Sequence, residues 1–317
     1  MALLPPAAFP LRSPAGDAEI FSIGVDGTAR RNISQNPSTF DTSPVVSPSG
    51  ARIAFLRTGS VSLDLWVMNA DGSGQAARVT GPEAKVDPAW APNSKAIAFT
   101  SATSPPLPFV RVAGWTRTEQ RRAGRHARFS PDGRALVFEQ PSGIAVLRRT
   151  RTGVSFRRLL RVPAVGPVWS PAGARIAYER VVTDSVRYIA VMNANGTRAR
   201  RLALGSDPVW SARGLIAFVR GGELFVVRPD GRGLRKLTSG PGDGVPTWSR
   251  DGGWLAFVRN WGGNLPVKQI WVIGADGSGL RQATQERQGV LSAPSWSRDG
   301  RRLYYAARGP KGPPPPR

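Results

Sequence analysis

The sequence predicts an all-β fold: a seven-bladed β-propeller of four-stranded antiparallel blades, closed by pairing of N- and C-terminal half-blades. Three observations carry this. A Pro-x-Trp-like segment recurs seven times, an Ile-Ala-Phe-like segment follows each copy, and the chain opens on the second half of a repeat and ends on the first half. Repetition every 42 residues or so is the spacing of one four-stranded blade.

The first column reads Pro88-Ala89-Trp90, Pro167-Val168-Trp169, Pro208-Val209-Trp210, Pro246-Thr247-Trp248 and Pro294-Ser295-Trp296, with degenerate copies at Pro44-Val45-Val46 and Ala127-Arg128-Phe129. The second column is Ile53-Ala54-Phe55, Ile97-Ala98-Phe99, Leu136-Val137-Phe138, Ile176-Ala177-Tyr178, Ile216-Ala217-Phe218, Leu255-Ala256-Phe257 and Leu303-Tyr304-Tyr305. Turns such as Ser130-Pro131-Asp132-Gly133 and Ser249-Arg250-Asp251-Gly252 separate the two and place glycine where a tight hairpin needs a positive φ. A third, alternating strand ends in a second hairpin, as in Leu65-Trp66-Val67-Met68-Asn69-Ala70-Asp71-Gly72, and a short fourth strand such as Lys236-Leu237-Thr238 completes the blade. Blades two and three lack this second Asp-Gly turn, the one after the third strand. The columns are expected to be core, because periodic apolar positions are what packing between repeats demands.

The ends supply the seventh blade. Ile20 to Gly27 and Asn32 to Ser34 form its outer half, and residues 294–307 its inner half. Pairing them removes two exposed sheet edges. One domain is therefore expected over residues 17–308, preceded by a flexible segment, residues 1–16, and followed by a proline-rich tail, residues 309–317.

The repeat resembles the TolB-type propeller blade. The resemblance rests on Val67-Met68-Asn69-Ala70-Asp71-Gly72-Ser73-Gly74, on Ser170-Pro171 with Ile176-Ala177-Tyr178, and on Arg235-Lys236-Leu237-Thr238, and it extends over nearly the whole chain. It implies a protein-interaction or ligand-binding scaffold at a bacterial cell envelope, periplasmic or extracellular. Similar propellers also occur in prolyl-oligopeptidase relatives and in oligogalacturonate lyases, so an enzyme or accessory domain acting on peptide or polysaccharide is the alternative. The seven blades depart from the six of TolB itself, and no secretory signal is read in MALLPPAAFPLRSPAG, whose apolar run is broken by Pro5 and Pro6.

Composition excludes several chemistries. With no Cys there is no disulfide, thiolate nucleophile or zinc-thiolate site, and a single His cannot build a multi-histidine metal centre. No G-x-S-x-G elbow occurs. No cofactor is expected, no apolar run is long enough to span a bilayer, and the protein is expected to be a non-enzymatic monomer.

The candidate site is the face where loops between blades gather. Asp87, Asp207 and Asp243 precede innermost strands, as does the lone histidine, His126, beside Arg125 and Arg128. Trp261 stands in a Gly-rich loop outside the repeated columns, read either as a contact residue or as a cover for its own blade. These five residues mark where a protein or glycan partner would bind. The net charge of +23 concentrates in blades two and three, with Arg121, Arg122, Arg125 and Arg128 clustered. That patch is read either as a solvated basic face or as a surface for an anionic polymer.

Overall fold

The computed structural model describes residues 18–102, 108–114, 122–240, 242–261 and 267–309. The expected flexible N-terminal segment, the proline tail beyond Gly309, Arg121 and most of the two long loops at 103–108 and 260–266 lie outside these residues.

The chain enters on β1 (Ala18–Gly24) and β2 (Arg31–Asn32). Blade one follows as β3 (Asp41–Val46), β4 (Arg52–Thr58), β5 (Leu63–Asn69) and β6 (Ala76–Val79), and blade two as β7 (Ala84–Trp90), β8 (Ile97–Ala102), β9 (Phe109–Ala113) and β10 (Arg122–Ala123). Blade three is β11 (Arg125–Phe129), β12 (Ala135–Gln140), β13 (Gly143–Arg149) and β14 (Val154–Leu160); blade four is β15 (Ala164–Trp169), β16 (Arg175–Val181), β17 (Arg187–Asn193) and β18 (Arg200–Leu204). Blade five comprises β19 (Ser206–Trp210), β20 (Ile216–Arg220), β21 (Glu223–Val227) and β22 (Arg235–Lys236), and blade six β23 (Asp243–Trp248), β24 (Trp254–Trp261), β25 (Val267–Gly274) and β26 (Arg281–Gln282). β27 (Ser295–Trp296) and β28 (Arg302–Arg308) end the chain and join β1 and β2 in the seventh sheet, in the order β2-β1-β28-β27.

Each of the seven sheets has four strands, all pairs are antiparallel, and the first strand of every blade touches the first strands of its two neighbours around a complete ring. No helix among the described residues is long and apolar enough to cross a membrane. The two hairpin columns form as the sequence dictates: at Gly72 (φ 96°) an added Cβ would lie 2.2 Å from the Ile33 carbonyl oxygen, so only glycine turns here against the preceding blade's outer strand. Closure runs over seven residue pairs, from Ala18 opposite Arg308 to Gly24 opposite Arg302. Phe21 stacks on Tyr305 at 6.1 Å, and the Tyr305 hydroxyl and Arg30 both donate to Glu286 Oε1, at 2.6 and 2.7 Å.

Apolar clusters lie between successive blades, and the tryptophan column does more than fill them. The indole N–H reaches across to an inner-strand carbonyl of the preceding blade: Trp90 to Val45 (2.9 Å), Trp169 to Arg128 (3.1 Å), Trp248 to Val209 (3.1 Å) and Trp296 to Thr247 (3.0 Å). Trp210 occupies the same place with its N–H buried and unpartnered. The two residues therefore separate burial from hydrogen bonding. Trp248→Ala should cost roughly 3–5 kcal/mol by cavity formation, and Trp248→Phe about 1 kcal/mol more than Trp210→Phe, because only the former loses a bond. Equal midpoints for the two Phe variants in guanidinium unfolding would contradict this.

Candidate functional site

Every inner strand except β27 carries a register shift at the same place, immediately before the proline column. The residue at the shift is left-handed in all six: Ser43, Asp87, His126, Gly166, Asp207 and Val245, with φ between 47° and 58°. Five of these are not glycine, and Val245, β-branched and 47% exposed, is the most strained. Such a bulge lets pairing with the second strand continue on both sides while it re-aims one side chain. One residue in each of six blades is thereby presented at the entry ends of the inner strands, around the channel mouth.

Asp87, His126 and Asp207 thus come from strands β7, β11 and β19 and not, as the sequence suggested, from loops. The structure brings two of them into contact. His126 Nε2 lies 3.1 Å from Asp87 Oδ2, and Nδ1 lies 2.8 Å from Glu139 Oε1. Glu139, on β12 and 4% exposed at its side chain, also accepts the backbone N–H of Gly166 (2.6 Å) and pairs with Arg125 (2.8 Å). Glu179 repeats this one blade on: from β16 it accepts the N–H of Asp207 (3.1 Å) and pairs with Arg187 (2.5 Å). Thr100 holds the equivalent position in β8, its hydroxyl buried and unpartnered.

The electrostatics follow. Burial alone would push the His126 imidazolium toward neutrality, but hydrogen bonds and charge from Asp87 and Glu139 raise its pKa to about 9. Burial would lift Asp87 and Glu139, yet the His126 cation holds both below the ordinary carboxylate range. Asp207 and Glu179 go the other way, raised first by the partial loss of hydration among neighbouring strands. Asp207 forms no ion pair among the described residues; its carboxylate accepts from the Ser206 hydroxyl, at 3.5 Å, and the residue as a whole stays exposed at the rim.

A titration checks the arrangement. A folded pKa above the unfolded one stabilises fully below about 6.5 and loses that contribution as pH rises through about 9, worth about 3 kcal/mol. With one histidine in the chain, a single imidazole proton signal reports it, and His126→Gln should flatten the fall in stability between pH 6.5 and 9.5. A signal that titrates near 6.5 would refute the ion triad.

The remaining expected residues lie elsewhere. Asp243 is not at the surface: its side chain is fully buried and bidentate to Arg259, Nε to Oδ1 at 2.5 Å and Nη2 to Oδ2 at 2.7 Å. It stands three residues before its proline, not one, and at that register the side chain meets its cross-strand partner. Asp41 and Arg57 repeat the pair in blade one. Trp261 ends β24 opposite Val267, within a strand and not in a Gly-rich loop. The basic cluster divides. Arg125 and Arg128 stand at the mouth, Arg128 bonding the Ala127 carbonyl (2.9 Å), while Arg122 lies on the outer strand of blade two. Hydrophobic periodicity passes over Glu139 and Glu179, although a carboxylate departs there from a column that holds Leu56, Val219, Val258 and Ala306 in four blades and Thr100 in β8.

No family model matches the chain. A TolB homolog from Chlorobium luteolum is 34% identical over 125 residues, which make up 36% of this chain and 28% of that protein. The structure of a putative TolB from Agrobacterium tumefaciens aligns with a TM-score of 0.61 and 18% identity, covering 94% of this chain and 100% of the other. The seven-bladed ring fits a TolB-type propeller. An oligogalacturonate lyase from Vibrio parahaemolyticus shares the fold as well, with a TM-score of 0.67, 11% identity and coverage of 94% and 99%. The curated TolB proteins are matched over 28% of their length or less. The TolB-type columns account for the ring, while the mouth residues stand outside them, at bulge positions that the repeat leaves variable. Among the described residues no group of three His, Asp or Glu side chains is placed to hold a metal ion; both His126 nitrogens already face carboxylates.

Proposed function

We propose that this TolB-type propeller is a non-enzymatic binding scaffold that recognises a protein or glycan partner at the channel mouth. One observation supports the reading: bulges in separate blades deliver Asp87, His126 and Asp207 to the same opening, where Asp207 is exposed and forms no ion pair among the described residues. An exposed acceptor flanked by a rigid ion triad suits a partner's ammonium or guanidinium group, or a pair of sugar hydroxyls. The apolar Val245 on the neighbouring blade supplies contact area beside it. The names of the TolB relatives place those proteins in the Tol-Pal system, which favours a protein partner here too.

A photo-crosslinker in place of Val245 tests this. It should capture a discrete partner from an envelope extract, and Asp207→Lys should abolish capture without altering the melting temperature. Capture that survives Asp207→Lys would move the site elsewhere. Turnover of oligogalacturonate or peptide substrates by the purified protein would replace the scaffold reading with the enzymatic one.

A further inference from the structure

Among the described residues blade three has the longest outer edge. Of the fourth strands, β2, β22 and β26 have two residues, β6 four and β18 five, whereas β14 has seven. β14 is the last strand of its sheet, so every second residue turns an unpaired N–H and C=O outward. Ser155, Phe156, Arg157 and Arg158 are all exposed. Cross-strand pairing places Phe156 and Arg158 on the side of blade two, and Arg157 on the opposite side with Ser155 and Arg148. Arg122 lies over the Phe156 ring at 5.6 Å.

The charge is one-sided. No acidic residue occurs between Gln140 and Tyr178, and Arg157 and Arg161 make no ion pair among the described residues. On β14, Arg158 Nε donates to Gln140 Oε1 (3.1 Å), while on the other long edge, β18, Arg200 bonds the Pro229 carbonyl (2.5 Å) and Arg201 lies over Tyr188 at 4.6 Å. Arginine alone would blunt an edge against self-association. A seven-residue edge with a surface phenylalanine and cations on both sides does more, since it complements a strand of opposite charge.

We propose that β14 docks an extended acidic peptide segment, which adds as a fifth strand to blade three. Main-chain hydrogen bonds along Ser155 to Arg158 would supply register, alternate carboxylates would meet Arg157 and Arg148 on one side and Arg158 and Arg122 on the other, and Phe156 would cover an apolar residue between them. A single exposed aromatic is too few for a base-stacking platform, which favours peptide over nucleic acid.

The probe is a fluorescein-labelled decapeptide alternating glutamate with valine or threonine, titrated by anisotropy against the full chain. Binding should weaken at least tenfold with Arg157→Glu and Arg158→Glu together, and as much again when alternate peptide nitrogens of the probe are methylated; Arg200→Glu with Arg201→Glu on the exposed edge of β18 should leave it unchanged. Both β14 arginines are exposed, and the milder Arg157→Ser, Arg158→Ser pair guards against a folding artefact. Absence of binding, equal binding of the methylated probe, an equal loss of binding in the Arg200→Glu, Arg201→Glu variant, or binding of a twelve-nucleotide oligothymidine as tight as the peptide would each overturn the proposal.

Discussion

Removal of residues 1–24 should keep the chain from folding into a discrete species. This deletion takes away β1, the strand between β28 and β2, all seven of whose residues are buried. Ile20, Phe21 and Ile23 are at most 4% exposed, and burying one such side chain contributes about 1.5–3 kcal/mol, so their combined loss rivals the 5–15 kcal/mol that typically separates folded from unfolded chains. The loss also frees the long edge of β28, with Tyr305 and Ala306 fully buried until then, for pairing with other molecules. Size-exclusion chromatography should show aggregate in place of the full chain's peak, and supplying residues 17–35 as a separate peptide should restore part of that peak. A cooperative transition in an unaggregated truncated protein would show that the ring holds without its clasp.

The second large effect is expected at the buried pair of blade six. Arg259→Leu strands the Asp243 carboxylate, whose side chain has no solvent exposure. Removing one member of a buried pair costs about 3–5 kcal/mol, which for a domain of this size lowers the melting temperature by about 10 °C. The guanidinium also lies 4.7 Å above Trp271 and 5.3 Å from Phe257, so packing is lost with the charge. Asp243→Leu combined with Arg259→Leu should recover most of the deficit, because no orphaned charge remains. Additive effects of the two substitutions in thermal unfolding would argue that the pair does not act as a unit.

How far the sequence could be read depends on which forces a residue type reveals. The tryptophan and Ile-Ala-Phe columns declare themselves because inter-blade packing repeats, and from them the blade count, the strand order and the composite seventh blade all follow. The mouth residues were partly legible: Asp87, His126 and Asp207 share a position relative to the proline column, and the structure shows them at equivalent bulges. Asp243 was grouped with them by proximity to a strand start. Two residues of register separate a side chain aimed at the channel from one aimed at a cross-strand arginine, and a bulge, which shifts that register, has no residue signature of its own when Ser, Asp, His, Gly and Val all occupy it. Glu139 and Glu179 escaped notice because hydrophobic periodicity weighs a strand's apolar positions and passes over the one polar side chain that reaches the next blade.

The clasp between β1 and β28 also sets a timescale. Its partners stand 278 to 290 positions apart along the chain, from Gly24–Arg302 to Ala18–Arg308, whereas most other strand pairs join neighbours. Closing so long a loop costs only about 2 kcal/mol more entropy than closing one of roughly 20 residues, but contacts this distant are made late, and high contact order slows folding. Blades one to six can assemble in sequence as local hairpins before the ring shuts. By reversibility the same seam is where the native protein opens first, so amide hydrogens of β1 should exchange ahead of those in the middle strands of blades three to five.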